Sequence, residues 1–528
     1  MLSALDQLLA NRNTSYWANK GIIHLNLLLI LAQISSYATG YDGSMMNGLQ
    51  SLDTWQTYFN MPTGSVLGLF NCIQPVGQIL SFPVEAWFCD KYGRRFGMAV
   101  GALIILIGCI LQGAAVNIGM FIAARGLIGF GLGINITAAP VYILETAFPP
   151  HRGPLTSLYN SLWGFGSLLA SWITYGTFTM GNNWSWRIPS LLQAFASVLQ
   201  IALVWTIPES PRWLVENGKP EQASQVLAKY HANGDVVDPI IELEIAEIQE
   251  AIALDRRNNK NVTYLTMFKN PANRSRTFII IAIGFFSQWS GNGLISYYLS
   301  LILTSIGYVD SKQQLLINGI LQAFSLVTGV AAALIVNKFA RRTLWLSSTI
   351  GILVTFIAWT ICEALYDVSA ANGTPNVAAG RAVLALIFIY NAVFNLGWTP
   401  LQVVYTIEIL PISIRGRGLA IYNLSVSLAG VLNQYLNPVG LANIGWKFYI
   451  VYDIWICFEL VIVYFFFKET SGMSLEETAA IFDGPEAIRE IAAEGQTAIH
   501  GAVDTQAMNY EEEKNMEVSE ARVVEVET

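Results

Sequence analysis

Two charged residues stand where charge is costly. Asp42 lies in Gly40-Tyr41-Asp42-Gly43, inside the first apolar run, and Arg125 opens the run Arg125-Gly126-Leu127-Ile128-Gly129-Phe130-Gly131-Leu132-Gly133 inside the fourth. An ionised side chain persists in a hydrocarbon layer only when it is paired or wetted by a cavity. Arginine keeps its charge, so it needs an anion. Asp42 is the available partner in the same half of the chain, and a carboxyl so placed is suited to take up and release a proton. The plainer readings are an aspartate in water at an outer helix end and an arginine snorkelling to the interface.

Other polar side chains interrupt apolar runs. Gln288, Asn292, Ser296, Tyr297 and Tyr298 fall within eleven residues, and Asn160, Gln322 and Gln402 stand alone. Amides present a donor and an acceptor together, and aromatic faces suit apolar ring faces. That chemistry matches a polyhydroxylated solute; the plainer reading is hydrogen bonding between helices.

A third group is cationic and acidic by turns. Glu145, Arg152, Glu209, Arg212, Arg94 and Arg95 in the first half correspond to Glu408, Arg415, Arg341 and Arg342 in the second. Asp90-Lys91-Tyr92-Gly93-Arg94-Arg95 recurs as Asn337-Lys338-Phe339-Ala340-Arg341-Arg342. Glu145, with Arg152-Gly153 seven residues on, recurs as Glu408 with Arg415-Gly416. Ion pairs at helix ends can hold one conformational state and break in another. Basic loops that merely set topology are the alternative.

The elements that must carry these residues are membrane helices. Hydrophobic residues make up 53% of the chain, charged residues only 12%, and mean hydropathy is +0.46. A soluble domain carries roughly 25% charged residues, so most of this exterior faces lipid. Apolar runs long enough to span a bilayer are expected at about 21–46, 64–88, 97–116, 119–142, 155–178, 188–207, 277–304, 314–336, 343–366, 382–407, 418–438 and 446–467. The interior break 208–276 reads as cytosolic, with short amphipathic helices at Glu221–Tyr230 and Pro239–Leu254. Residues 468–528 hold a net charge of −11 against −8 for the whole chain, which leaves residues 1–467 at +3. That acidic tail reads as mostly disordered, except for a capping box at Ser474 and Glu477 that predicts a short helix. Lys/Arg bias puts the basic loops, both termini and 208–276 in the cytosol. Asn183 and Asn372 then head outer-side sequons and are candidate glycan sites. The five cysteines and four histidines show no metal or disulfide spacing, no catalytic constellation is evident, and no cofactor is expected.

Taken together these motifs resemble the sugar porter family of the major facilitator superfamily. The likeness runs from about Gly40 to Glu477 and adds Pro208-Glu209-Ser210-Pro211-Arg212-Trp213-Leu214 and Lys468-Glu469-Thr470 to the motifs above. The wording of Gly40–Gly43 and Gln288–Tyr298 resembles fungal lactose and cellodextrin permeases. The resemblance implies that Asp42 takes a coupling proton beside Arg125. It also places Asn160 and Ser287 where the family has sugar-binding glutamines, Gly293 where it has asparagine, and Val403 where it has tryptophan. Asn337, Ala340 and Lys468 imply unequal charge clusters in the two halves.

The expectation is therefore an all-α integral membrane protein with twelve transmembrane helices in two six-helix bundles, the major facilitator fold. Its parts are a cytosolic N-terminus (1–20), an N-terminal bundle (21–207), a cytosolic linker (208–276), a C-terminal bundle (277–467) and the tail (468–528). The expected activity is uptake of a sugar, disaccharides included, by proton symport through alternating access. A facilitator or exporter of another polyol or metabolite, or a non-transporting sugar sensor, is the alternative. Partners are a sugar, a proton and the lipid bilayer of the plasma membrane, with no nucleic acid and a functional monomer.

Overall fold

The computed structural model describes residues 9, 15–17, 19–261, 263–471, 473, 478 and 481–482, with the side chains at 86, 157, 160, 254–261, 337 and 412–413 left outside. Every regular element among the described residues is helical. The long ones are α1 (Lys20–Gln50), α2 (Gly64–Tyr92), α3 (Arg94–Gly113), α4 (Ile118–Thr146), α5 (Arg152–Thr177), α6 (Trp184–Thr206), α7 (Pro271–Ser305), α8 (Ser311–Ile335), α9 (Arg341–Ala371), α10 (Val377–Ile409), α11 (Ile412–Ile444) and α12 (Lys447–Phe466).

Side chains set several helix starts. Asn19 Oδ1 accepts from the Ile22 amide at 2.7 Å, Asn117 Oδ1 from Met120 at 2.8 Å, and Asn376 Oδ1 from Ala379 at 3.2 Å. Each satisfies an amide that the first helical turn leaves unpaired. Gly291, at φ 96°, divides α7 into Pro271–Trp289 and Asn292–Ser305. Only glycine adopts that backbone freely. The expected span 277–304 misses this break because both halves are apolar.

Ten of the twelve helices are long and apolar enough to cross a membrane, α2 over Gly64–Glu85. The remaining two, α5 and α11, are just as long but more polar, with Thr156, Ser161, Ser167, Ser171 and Thr174 in one and Asn423, Ser425, Asn433, Gln434 and Asn437 in the other. Both are flanked by helices from the two halves of the chain: α5 packs on α1 and α8, and α11 on α2 and α7. Helix contact takes the place of apolarity there.

Small residues bring the helices close. A Cβ on Gly129 would lie 2.0 Å from the Gln74 carbonyl oxygen, and one on Gly77 would lie 2.2 Å from that of Gly126. The α2–α4 seam therefore has backbone against backbone, which is how helices pack in lipid. Between the halves, an apolar cluster gathers Met45, Leu49, Trp55, Phe70 and Trp186 with Tyr298 and Leu315. Around it Asn47 Nδ2 donates to the Ile295 carbonyl and to Asn318 Oδ1, both at 3.4 Å. Gln50 Nε2 donates to the Tyr297 carbonyl at 2.9 Å, and Ser311 Oγ to Asp53 Oδ1 at 3.1 Å. The two halves are thus shut together at the end that holds the 50–64 and 306–311 turns.

The segment after α6 forms the helices Pro211–Glu216, Pro220–His231, Pro239–Asn261 and Thr266–Lys269, covering both predicted amphipathic stretches. Leu227, Ala228, Ile240 and Ile241 pack with Ile22 and Phe148 under α1 and α4. A buried pair joins them, with His231 Nδ1 2.9 Å from Glu244 Oε1 and Nε2 3.2 Å from the Thr146 carbonyl oxygen. The capping box at Ser474 and Glu477 lies outside the described residues. Phe482 beyond it stacks on the Arg276 guanidinium, 5.0 Å from ring centroid to Cζ.

Candidate functional site

Asp42 and Arg125 meet inside the first half of the chain. Arg125 Nη1 donates to Asp42 Oδ1 at 3.1 Å and Nη2 to Oδ2 at 3.2 Å, while Nε donates to the Phe70 carbonyl at 2.7 Å. Both residues are only 2% exposed. A two-pronged guanidinium–carboxylate contact is the strongest geometry such a pair can adopt. Gln193 Nε2 adds a third hydrogen bond to Asp42 Oδ1 at 2.8 Å. Sequence reading missed Gln193, although an amide in the middle of the apolar sixth span was the signal. Neither side chain is in water or at an interface.

Asp42 is not the single intramembrane carboxyl of its half. Glu85 on α2 is 5% exposed, accepts from Thr137 Oγ1 at 2.8 Å, and lies 3.0 Å from Ser81 Oγ, which is itself 2.7 Å from the Gln78 carbonyl oxygen. Glu85 partners hydroxyls, whereas Asp42 partners the cation.

The candidate solute contacts gather near the break in α7. Tyr297 lies against α1, its ring 3.6 Å from where a Cβ on Gly43 would stand. Asn292 Oδ1 accepts from Ser296 Oγ at 3.0 Å at the start of the second half-helix. Gln288 is half-buried; its Nε2 reaches Ser287 Oγ at 3.4 Å, and its carbonyl accepts from Asn433 Nδ2 at 3.0 Å. Gln288 Oε1 is 4.0 Å from where a Cβ on Gly430 would stand, so its amide stays largely uncommitted near the helix break.

Other candidates are held by the protein. Tyr298 is fully buried and its hydroxyl donates to the Gln434 carbonyl. Gln402 Oε1 accepts from Tyr422 Oη at 3.1 Å, and Gln322 Nε2 donates to Asn318 Oδ1 at 3.4 Å. The Asn160 side chain lies outside the described residues.

An amide group on α11 was not singled out in the sequence. Asn433 Nδ2 also donates to Tyr452 Oη at 2.9 Å, and Asn437 Nδ2 to Asn433 Oδ1 at 2.9 Å. A Cβ on Gly293 would lie 1.8 Å from Asn433 Oδ1. The amide expected from α7 at position 293 is thus replaced by one reaching in from α11.

At the other end the charge clusters are built twice to one plan. Arg94 Nε donates to Glu145 Oε2 at 3.1 Å, Nη2 to Glu145 Oε1 at 3.3 Å, and Nη1 to Asp90 Oδ1 at 3.0 Å. The Arg94 and Arg95 amides donate to Glu209 Oε1 at 3.1 and 3.2 Å, and Ser210 Oγ to Glu145 Oε2 at 2.6 Å. Gly93 makes this possible, since a Cβ there would stand 2.3 Å from Glu209 Oε2. In the second half Arg341 Nη2 donates to Glu408 Oε1 at 3.1 Å. The Arg341 and Arg342 amides donate to Glu469 Oε1 and Oε2 at 2.8 and 2.9 Å, and Thr470 Oγ1 to Glu408 Oε2. Glu469 and Thr470 therefore repeat Glu209 and Ser210, a correspondence absent from the expected set.

Arg212 Nε is 4.0 Å from Glu145 Oε1. Arg152 Nε and Arg415 Nε donate to the Ala147 and Leu410 carbonyls at 3.1 and 3.3 Å, pinning the turns before α5 and α11. Each cluster fastens helices of one half and the segment that leaves it. Burial pushes the Glu209 carboxyl above its ordinary range, against the pull of the amides of Ser210, Arg95 and Arg94 and the charge of Arg95. Asn183 and Asn372 are exposed in the turns before α6 and after α9.

The sequence pattern described as "Sugar (and other) transporter" matches residues 28–482. The MFS-type transporter criB of Aspergillus cristatus is 27% identical over 465 residues, covering 88% of this chain and 95% of that protein. The high-affinity glucose transporter of Kluyveromyces lactis is 28% identical over 471 residues, covering 86% and 84%. Among solved structures, the proton:xylose symporter XylE bound to 6-bromo-6-deoxy-D-glucose superposes with a TM-score of 0.67 at 23% identity, over 87% of this chain and 99% of that one. The similar proteins are transporters, not enzymes.

Proposed function

The chain belongs to the sugar (and other) transporter family and is a multi-pass membrane protein of the major facilitator fold, and from that membership we propose that it takes up a sugar by proton symport. The carrying observation is the buried Asp42–Arg125 pair with Gln193, set one residue from the Gly43–Tyr297 contact. Protonating Asp42 would release Arg125 and loosen α1 against α4, while α1 at Gly43 touches the half-helix that carries Asn292 and Tyr297. Proton binding and solute binding would then share α1. A proton-coupled xylose carrier and a glucose carrier among the similar proteins support this reading.

Two six-helix bundles, with α5 and α11 as the fifth and eleventh of twelve spans, would rock about the central site. The charge clusters Arg94–Glu145–Glu209 and Arg341–Glu408–Glu469 would keep each bundle rigid while it moves. Gln288 and Asn292 would bind hydroxyls. Ser287 and Val403, smaller than the family's glutamine and tryptophan, would leave room for the second ring of a disaccharide. The protein would work as a monomer in the plasma membrane with both termini cytosolic.

A facilitator reading is favoured by one fact: Asp42 is fully satisfied by three hydrogen bonds, as a static tie would be. Radiolabelled uptake in transporter-null cells, over a panel of mono- and disaccharides with and without a proton gradient, tests both readings. Symport requires uphill accumulation that a protonophore abolishes. Uptake that only equilibrates would favour the facilitator, and no uptake of any sugar would overturn the function.

A further inference from the structure

The second half-helix of α7, Asn292–Ser305, is fastened at both ends by the same device. Just ahead of it, across Gly291 at the cap of the first half-helix, Ser290 Oγ lies 2.5 Å from the Phe286 carbonyl oxygen and 2.8 Å from Glu459 Oε2. At its end Ser305 Oγ lies 2.7 Å from the Ile302 carbonyl oxygen and 2.5 Å from Glu363 Oε1. A hydroxyl carries one proton, and a carboxylate only accepts. A helical serine commonly gives its proton to the carbonyl three or four residues back. The contact to the glutamate is then a hydrogen bond only if the glutamate supplies the proton.

Two further facts point the same way. Glu459 is 0% and Glu363 2% exposed, and among the described residues no cation pairs with either. Their titratable neighbours are acids or phenols: Tyr390 of α10 and Tyr452 of α12 face Glu459, while Tyr449 of α12 and Asp367 of α9 face Glu363. An unpaired carboxylate in such a place is costly. Asp42 is the contrast, since every partner it has is a donor.

The device is also repeated in sequence. Each glutamate follows a tryptophan by four residues, as Trp359 with Glu363 and Trp455 with Glu459. In both cases the indole N–H lies on the same helix face as the glutamate four residues on, close enough to interact with its carboxyl.

We propose that Glu363 and Glu459 are protonated carboxyls that clamp the two ends of the Asn292–Ser305 half-helix. They are positioning residues: they hold Asn292 and Tyr297 toward the solute and act through α7 rather than on the solute itself. The role in positioning rests on the transport reading; the protonation does not.

Infrared difference spectra of the purified full-length protein read the protonation directly. Glu363→Gln and Glu459→Gln should each delete a protonated-carboxyl carbonyl band. In sugar uptake, glutamine keeps a donor and an acceptor, so these variants should hold the half-saturation constant within about twofold. Glu363→Ala and Glu459→Ala, at matched surface abundance, should raise it about 5- to 30-fold with maximal rate much less affected. Absence of the bands, or glutamine variants as impaired as the alanine variants, overturns the clamp. If the wild type moves no sugar, the transport reading falls and the bands still decide the clamp's protonation.

Discussion

In the proposed symport, Asp42 is the residue on which energy coupling would turn. Its three partners all donate, so the pair is built for a carboxylate, and a neutral isostere should behave as if permanently protonated. Asp42→Asn is expected to abolish uphill accumulation in proteoliposomes with an imposed pH gradient while leaving counterflow exchange of substrate; full accumulation by the variant would remove Asp42 from the coupling step. In the same proposal Gln288 serves binding rather than coupling. Its amide is only weakly held by Ser287, so truncation leaves little unpaired in the empty protein and should be felt mainly when the solute is bound. Gln288→Ala should raise the half-saturation constant about 5- to 150-fold, from about 1–3 kcal/mol of lost hydrogen bonding. An unchanged constant at normal surface level would make Gln288 a structural residue.

The two charge clusters share a plan but differ in depth. Arg94 holds both Glu145 and Asp90, and Glu145 is 10% exposed, whereas Arg341 faces Glu408 at 24%. Removing one partner of a buried pair costs about 3–5 kcal/mol, and exposure reduces the cost. Arg94→Ala should therefore lower the thermal midpoint more than Arg341→Ala; an equal or reversed order in detergent-solubilised protein would mean that burial does not set the cost. Glu209 adds a pH dependence. Its carboxyl titrates above its ordinary range because it is buried, so the folded protein binds that proton more tightly than the unfolded chain. Its contribution is greatest below the unfolded pKa and is lost as pH rises through the folded one. The stability gap between wild type and Glu209→Gln should narrow as pH rises through that window, and a widening gap would contradict the burial argument.

For the molecule as a whole, contact between the halves at the end that holds the 50–64 and 306–311 turns defines the state seen. Asn47 and Asn318 bridge the halves at 3.4 Å. A short bifunctional thiol cross-link between cysteines at these two positions should hold that end shut and stop transport, with a reducible linker's cleavage restoring it; unimpaired transport by the cross-linked protein would show that this end need not open. The acidic tail is expected to be dispensable for transport. Phe482 stacks on Arg276, so a cut after Pro485 spares that contact while removing most of the negative charge. The truncated protein should keep its half-saturation constant, although its surface abundance can change. Normal surface level with no transport would place the tail inside the mechanism.

How much of this was legible beforehand depends on the kind of interaction. Membrane helices are written in local composition, because hydrocarbon imposes apolarity on each segment separately. The chain's ten strongly apolar helices, the linker helices and the likeness to sugar porters followed from that and from short motifs. The Asp42–Arg125 pair was also legible, since two opposite charges in lipid must find each other.

Partners across helices were not legible. Gln193 on Asp42, Glu469 on the Arg341 and Arg342 amides, and Asn433 in the space left by Gly293 depend on which helix faces lie together, which no single segment records. Tyr298 could not be told from Tyr297, because adjacent residues on a helix point about 100° apart and only packing decides which one faces inward. The break at Gly291 and the serine–glutamate contacts on either side of it were decided by tertiary structure, because hydropathy averages over a whole span and carries no record of where a hydroxyl's one proton goes.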